Sequence, residues 1–587
     1  MDSISSPPLE SRMPTRLAAT VFSGKAAALQ TRRAARDMLQ GIRRYPQQTR
    51  LLPHVLAESR TPLWNEASPA ERALQAGKVQ NLRAALKNLN GARVESNGIF
   101  SFWKQVGRAT RGRGFANGRL LREGCLMPAV GGGLCQLSNA LYDAALQSGL
   151  EIVERWAHSR VVPNSAAAIG RDATVAWNYI DLRFRADFGW QIEAILSADE
   201  LIVRFRCAEN QKPTPMIPLD SLLAPRPILD TEKHSCVSCG VEKCFRNVAE
   251  STPQYGRTFW VVDARTPELA DYLAARKTPG DGILLPLKNA RQARYCWNTG
   301  GFAFVGDARW QTLRRSLATR RLGAYGARRL DAQLKSDESL ARVLARQIPP
   351  DARHLVIAQS LLPFLWRQGV LGGRTFDVLM TRLPLEDLHR KLDAALQKFP
   401  ERKTLGEFRA PQTLVSDESG ALQAATKMVT PHAAIAALFG SRAEKLDWHF
   451  PQAPFREPQI PSRRGNFAIL FAGPTAARKG AYELRDAVRQ LDVEIILRGS
   501  ELEGATFWNG VRTRGLNPGE DWRKLASVVV QPAFVEDNPR VLLAALAANI
   551  PVVATAACGL DVHPNLFLIP EHDAAALVEI LKTLRDS

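Results

Sequence analysis

The last 125 or so residues alternate between short apolar runs and amphipathic stretches. Asn466 to Gly473, Val493 to Arg498, Ala526 to Gln531 and Ile550 to Thr555 are apolar runs of strand length. Gly480 to Leu491, Pro539 to Asn549 and Glu571 to Asp586 carry helical periodicity between and after them. Apolar runs bounded by turn residues, with helices interposed, predict a parallel sheet covered on both faces. The same pattern starts further upstream, with a strand at Phe259 to Asp263, a helix at Thr266 to Lys277 and a strand within Asp351 to Gln359. The stretch Val541 to Leu560 is apolar enough to suggest a membrane span. It contains Asn549, Pro551 and Thr555, and reads instead as a buried helix followed by a buried strand.

The first half has a different texture. A long helical stretch (ERALQAGKVQNLRAALKNLNG) leads into Gly-rich loops and a second helix. Period-two strands follow at Asp181 to Asp187 and Leu201 to Cys207, which predicts one α+β domain. Gln211 to Asp230 holds five prolines and Trp448 to Arg464 holds four, and both read as boundaries. The expected organisation is a basic helical arm at 1–54, an α+β domain at 55–207, a Pro-rich linker with a Cys-rich knuckle at 208–250, and two Rossmann-like α/β domains at 251–455 and 456–587. At about 150 residues per domain, 587 residues accommodate this plan.

Charge narrows the partners. Lys plus Arg is 78 against 58 for Asp plus Glu, a net +20, which favours anionic ligands without choosing among nucleotides, phospholipids and nucleic acid. No helix-turn-helix, RNA-binding or cold-shock signature is present, so nucleic acid is not expected. The segment from Lys25 to Tyr45 reads as a basic amphipathic helix. A solvated face is its simplest account, and contact with an anionic membrane surface the alternative. The Arg run at 313–329 likewise reads as a solvated helix face. Residues 1–30 show no uninterrupted apolar core, so the expectation is a cytoplasmic protein, at most peripheral to the inner face of the membrane. Eight cysteines in so long a chain do not make a disulfide scaffold.

Three constellations carry chemistry. In the first, Gly131-Gly132-Gly133-Leu134-Cys135-Gln136-Leu137-Ser138 precedes a clear helix and puts Cys135 at its N-terminus, where the helix dipole favours a thiolate. His158 and Asp172 follow, so nucleophile, base and orienting group are present in order. The alternative is that Cys135 packs as a small apolar residue. In the second, His234, Cys236, Cys239 and Cys244 fall within eleven residues at the spacing of a tetrahedral zinc site, with Cys207 or Cys296 as a substitute for His234. In the third, Lys479 follows the strand end at Gly473, with Arg478 and Gly480 beside it. The helix opening near Pro539 and Arg540, after Glu536 and Asn538, offers main-chain N–H groups to a diphosphate. His432 is expected to cap a helix, and Trp103, Trp156 and Trp177 to pack in the core or stack on a sugar.

Two of these stretches resemble known families. NGIFSFWKQVGRATRGRGFANG (97–118), GGGLCQLSNALYDAALQSGLEIVERWAHSR (131–160) and GRDATVAWNYIDLRFR (170–185) resemble the VanW family, first associated with vancomycin-resistance gene clusters. That resemblance implies an α+β domain linked to the cell envelope or peptidoglycan and names no reaction. Within it, Cys135, Gln136, Glu154, Arg155, His158 and Asp172 are the polar positions of interest. FAILFAGPTAARKGAYELRDAVRQL and ASVVVQPAFVEDNPRVLLAALAANIPVVATAACGL resemble the donor-binding domain of retaining GT-B glycosyltransferases. That resemblance implies a nucleotide-sugar donor and Glu536 as the first acid of the family's Glu-x7-Glu motif; with the VanW resemblance it points to a cell-envelope glycan or precursor, or another polysaccharide, as acceptor. Ala544 stands at the second acid, Asp537 at the Gly that usually follows the first, and Pro474 at an Arg. Thr299-Gly300-Gly301 is the nearest stand-in for an acceptor-side Gly-rich loop. Three readings follow: sugar transfer, Cys135/His158-dependent chemistry, or glycan binding on a GT-B scaffold without turnover.

Overall fold

The computed structural model describes residues 16–64, 69–122, 125–158, 166–209, 216, 257–290, 293–320, 327–407, 409–451, 467–517 and 519–586. His234, Cys236, Cys239 and Cys244 lie outside the described residues, as does most of the linker. Among the described residues no group of three or more His, Cys, Asp or Glu is placed to hold a metal ion. Among them, too, no helix is long and apolar enough to cross a membrane. The chain forms two compact units: 1–257 with 349–353 and 369–374, and 258–348 with 354–368 and 375–587.

The first unit opens with helix α1 (Arg16–Leu39), which is followed by strand β1 (His54–Pro62) and helix α2 (Pro69–Leu89). Then come β2 (Arg93–Val94), β3 (Phe100–Ser101), α3 (Phe102–Val106), β4 (Asn117–Arg122) and β5 (Cys125–Val130). Helix α4 (Cys135–Gln147), β6 (Glu151–Glu154), β7 (Arg183–Arg185), β8 (Trp190–Leu196) and β9 (Glu200–Cys207) complete it. An antiparallel sheet in the order β1-β9-β8-β2 carries α4 against β1 and β9, and α2 against β8. A smaller sheet runs β3-β7-β6, and β4 pairs with β5 as a hairpin. Phe100, Phe184, Trp190 and Phe205 stack at the centre with ring centroids 4.8 to 6.1 Å apart, which buries their bulk where the sheets meet.

Two expectations are revised here. The strand predicted across 181–187 is only Arg183–Arg185, because Asp181 is used elsewhere. Its buried carboxylate accepts the Ser101 hydroxyl at 2.6 Å and the Trp103 amide at 3.1 Å, holding the start of α3. The basic arm is also not solvated all round. Arg33 of α1 makes two bonds to Glu154, at 2.7 and 2.6 Å, and Asp37 is buried against Arg183 at 2.7 Å. The C-terminal half of α1 is thus docked by ion pairs, with Arg32 and Arg36 left on the exposed face.

The second unit contains two wholly parallel sheets. The first consists of β10 (Thr258–Val261), β11 (Gly282–Leu285), β12 (Phe304–Asp307), β13 (His354–Ala358), β14 (Thr375–Leu379), β15 (Lys427–Thr430) and β16 (Ala443–Lys445), in the order β12-β11-β10-β13-β14-β15-β16. The second consists of β17 (Ala468–Phe471), β18 (Glu494–Leu497), β19 (Thr513–Gly515), β20 (Val528–Gln531), β21 (Val552–Thr555) and β22 (Leu566–Ile569), in the order β19-β18-β17-β20-β21-β22. Both orders reverse beside the first strand, the doubly wound Rossmann topology, and two such sheets in tandem are the GT-B arrangement. β17, β20 and β21 are buried at every position, which is why they read as unbroken apolar runs. In such sheets ligands bind outside the carboxyl ends of the strands, at the point where the order reverses. Here those points are the β10/β13 and β17/β20 crevices.

Candidate functional site

In the first unit the turn after β5 sets the position of Cys135. Gly133 has φ +87°, and a Cβ there would come within 2.3 Å of the Lys78 side chain on α2. A Cβ on Gly132 would come within 2.3 Å of the Gly118 carbonyl on β4. Glycine is required at both positions for the chain to pass under the hairpin and start α4 at Cys135. Asn81 fixes the turn, donating to the Gly132 carbonyl at 2.8 Å and accepting from the Ala116 amide at 2.8 Å.

The first turn of α4 then holds the segment bearing Asp172. Ser138 donates to the Ala173 carbonyl at 2.6 Å, and Asn139 accepts from the Ala173 amide at 2.8 Å. The chain after β6 is tied to the same segment. Arg155 donates to the Asp172 carbonyl at 2.7 Å and its carboxylate at 2.9 Å, while the Thr174 amide donates to Trp156 at 2.8 Å. Asp172, fully buried, receives the His158 amide at 2.8 Å and Nδ1 at 2.7 Å. With Nδ1–H committed to the carboxylate, Nε2 is the nitrogen left to meet the thiol.

Cys135, His158 and Asp172 therefore converge. Burial alone raises the Cys135 thiol pKa. The hydrogen bond and charge of His158, the Val175 amide and the Thr174 hydroxyl outweigh burial and bring it below the ordinary value. Burial alone lowers the imidazole pKa, and the hydrogen bonds to Asp172 and Cys135 reverse this and raise it to about 9. Both shifts run in the direction that favours a thiolate beside an imidazolium. Of the other polar positions, Gln136 donates to the Thr61 hydroxyl and the Pro62 carbonyl, and Glu154 holds Arg33; both tie elements together. Trp103 is buried and stacks edge-on with Trp177 at 5.4 Å, whereas Trp156 is 55% exposed.

In the second unit Lys479 and Glu536 meet where β17 and β20 diverge. Gly480 has φ +78°, and a Cβ there would lie 2.1 Å from the Pro532 carbonyl, so the two loops run in contact. The Phe534 and Val535 amides both donate to the Arg478 carbonyl at 3.2 Å. Gly473 faces Gln531 across the same crevice. The Lys479 ammonium sits 2.9 Å from a Glu536 carboxylate oxygen, both side chains largely buried. The other Glu536 oxygen accepts the Asn538 amide at 3.0 Å. Burial raises the Glu536 pKa, but the charge and hydrogen bond of Lys479 override it, and the group lies below the usual carboxylate range.

A cavity of about 250 Å³ is lined by Asp537 and Asn538, the residues that follow Glu536, though neither Lys479 nor Glu536 forms its wall. Asn538 and Arg540 reach its wall, together with His432, Asp263, Arg315 and Ser360 from the first sheet. His432 caps its helix by accepting the Ile435 amide at 3.3 Å, and its Nε2 donates to the Glu536 carbonyl at 2.8 Å. Several expected donor residues are placed differently from the sequence reading. Arg540 is engaged by Glu268 through two bonds of 2.6 and 2.7 Å and lies over Trp448, so it bridges the two sheets instead of standing open to a diphosphate. Asp537, at the position where the resembled family usually has Gly, turns its carboxylate to the Leu383 amide at 3.0 Å. Pro539 precedes the helix Arg540–Ala547, and Ala544 within that helix offers no acid for a ribose. Gly300 and Gly301 precede β12, at the amino ends of the strands, so they cannot form the acceptor loop. Asp263 to Thr266 occupy that place after β10.

Sequence reasoning missed the charged cluster at the end of β10. Arg315, read within a solvated run, is buried and makes two bonds to Asp263, at 2.7 and 3.1 Å, with Asp337 3.2 Å away. Ser360 donates to Asp263 at 2.8 Å. Two acids sharing one guanidinium leave Asp337 raised, chiefly by burial. A carboxylate closing an apolar strand at a sheet's reversal point was the available signal for Asp263.

The chain matches the family model described as VanW like protein over residues 77–206 and that for glycosyl transferases group 1 over 466–587. It joins a VanW-like domain to a group 1 glycosyltransferase domain. The Vancomycin B-type resistance protein VanW of Enterococcus faecalis is 35% identical over 158 residues, which is 26% of this chain and 57% of that protein. The uncharacterized protein YoaR of Bacillus subtilis is 38% identical over 115 residues, 20% of this chain and 37% of its own. The chain thus spans about half or less of each curated relative. Among solved structures, a UDP-forming α,α-trehalose-phosphate synthase from Burkholderia xenovorans is similar at 13% identity and a TM-score of 0.36, over 56% of this chain and 91% of that one. Anabaena HepE in complex with UDP and glucose is similar at 14% identity and a TM-score of 0.33, over 56% and 89%. Cys135, His158 and Asp172 lie inside the VanW-like domain, and Lys479 and Glu536 inside the glycosyltransferase domain.

Proposed function

We propose that the glycosyltransferase module transfers a sugar from a nucleotide-sugar donor to a glycan or glycan precursor of the cell envelope. The observation that carries this is the Lys479–Glu536 pair at the β17/β20 reversal point, within the domain matched by the group 1 model. A leaving diphosphate gathers negative charge as the glycosidic bond breaks. Lys479, Arg478 and the opening of the Arg540–Ala547 helix supply fixed positive potential for it. Glu536, held ionised, accepts hydrogen bonds from donor hydroxyls and offsets the positive charge that develops at the anomeric carbon. The first sheet presents Asp263 and Ser360 to the acceptor side of the cavity. The VanW-like domain ties the acceptor to envelope chemistry in this reading.

Calorimetric titration with UDP, GDP, ADP and CDP tests the donor site. One diphosphate is expected to bind, and Lys479→Met to weaken it by about 30-fold or more, the usual cost of truncating a buried charged partner. A folded wild-type protein that binds none of the four would overturn the proposal.

A further inference from the structure

The VanW-like domain holds a second constellation that sugar transfer does not use. We propose that Cys135, His158 and Asp172 form an acyl-transfer site, with Cys135 as nucleophile toward an amide or ester carbonyl and water or an amine as acceptor. The two groups meant to touch the substrate are Cys135 and His158; Asp172 is a positioning residue that acts through the imidazole.

The geometry supplies each part. Cys135 begins a 13-residue helix, and although the Gln136, Leu137 and Ser138 amides bond the Gly133 and Leu134 carbonyls, the positive end of the helix dipole favours negative charge at the sulfur and at an adjoining oxyanion. His158 is fixed at both its amide and Nδ1 by a single carboxylate oxygen, which sets the ring's orientation and tautomer. Arg155 in turn fixes Asp172 and lies over Tyr142 of α4, closing the frame. The groups facing the thiol are His158, the Thr174 hydroxyl and the Val175 amide; those facing the imidazole are Asp172 and the thiol itself. A Cys kept only for packing requires neither a buried Asp–His pair nor a turn of three glycines that passes beneath a hairpin.

The steps balance. The Cys135 thiolate sulfur bonds to the carbonyl carbon. As the adduct collapses, the C–N or C–O bond breaks and the leaving atom takes the Nε2 proton of His158. An incoming water or amine then returns a proton to Nε2 as it attacks the thioester carbon, and sulfur leaves as thiolate.

The pH dependence has two limbs. Alkylation of Cys135 rises as pH climbs through the lowered thiol pKa and then stays level. Acyl transfer rises over the same range and falls above about 9, where His158 loses the proton it must donate. The test uses the full-length protein, iodoacetamide and p-nitrophenyl acetate, with the exposed Cys296 as internal reference. Cys135 is expected to alkylate with a midpoint below that of Cys296, and to carry an acetyl adduct with a matching burst of p-nitrophenol. Cys135→Ser removes the burst. His158→Gln, which keeps the thiol, slows acylation by about 100-fold or more. Asp172→Asn moves the Cys135 midpoint toward that of Cys296, which a purely structural role would not do, and Cys296→Ser, which removes the reference, leaves the Cys135 midpoint and the burst unchanged. A wild-type Cys135 that titrates like Cys296, or an acetyl group found on other cysteines and not on Cys135, overturns the proposal. Neither readout involves a nucleotide, so its failure is separate from failure of the glycosyltransferase reading.

Discussion

Replacing Glu536 by Gln is expected to separate binding from transfer. Sugar transfer falls by about 10²- to 10³-fold, the usual effect of removing one group aimed at transition-state charge. Diphosphate affinity moves the other way. In the wild type Glu536, 2.9 Å away, offsets part of the positive potential of Lys479, and the substitution returns that part to the phosphate site. Binding of the nucleoside diphosphate then stays level or tightens by up to about tenfold, equal to about 1.4 kcal/mol. Calorimetry for binding and product formation for turnover read the two effects independently. Parallel losses in both would mean that Glu536 only holds Lys479 in place.

Arg183→Ala is expected to destabilise the VanW-like unit by about 3 to 5 kcal/mol at neutral pH, the cost of stranding buried carboxylates. Arg183 is 3% exposed and bonds Asp181 at 2.8 Å and Asp37 at 2.7 Å, so it joins α3, β7 and α1 at one point. The pH dependence checks the cause. Burial already raises the Asp181 pKa in the wild type despite its Ser101 and Arg183 partners, and loss of Arg183 raises it further. Between the unfolded value of about 3.9 and the raised folded value, the folded state then binds more protons than the unfolded one. Stability of the variant therefore increases as pH falls through that window. Urea unfolding of the variant at pH 7 and pH 5 reads this; an equal deficit at both would exclude the stranded carboxylate as the cause.

How much the sequence revealed depended on whether a feature was local. In the α/β module the strands β10, β13, β17, β18, β20 and β21 were legible to within two or three residues, because strands buried on both faces read as continuous apolar runs, whereas β11, β12, β14, β15, β16, β19 and β22 were not read from the sequence. In the VanW-like domain β2 and β3 are two residues each and exist through long-range pairing, which leaves no periodic trace. Residue chemistry was legible at Cys135, His158 and Asp172, but their meeting rests on Ser138 and Asn139 seizing the chain at Ala173. Arg540 looked like a phosphate ligand because its partner, Glu268, lies 272 residues away. Arg315 looked solvated for the same reason: the strand end that buries it is 52 residues distant. Charge pairs closed by the tertiary fold are invisible to local pattern, and here one redirects Arg540 from ligand to scaffold.

The most direct test of sugar transfer is nucleotide release. The full-length protein would be incubated with UDP-, GDP-, ADP- and CDP-sugars and an envelope-glycan extract as acceptor, and free nucleoside diphosphate measured. The account predicts release from the sugars of one nucleotide, dependent on acceptor and abolished in Lys479→Met. Release from none of them, by a folded protein that binds the diphosphate, would contradict it and leave the module a glycan- or nucleotide-binding scaffold.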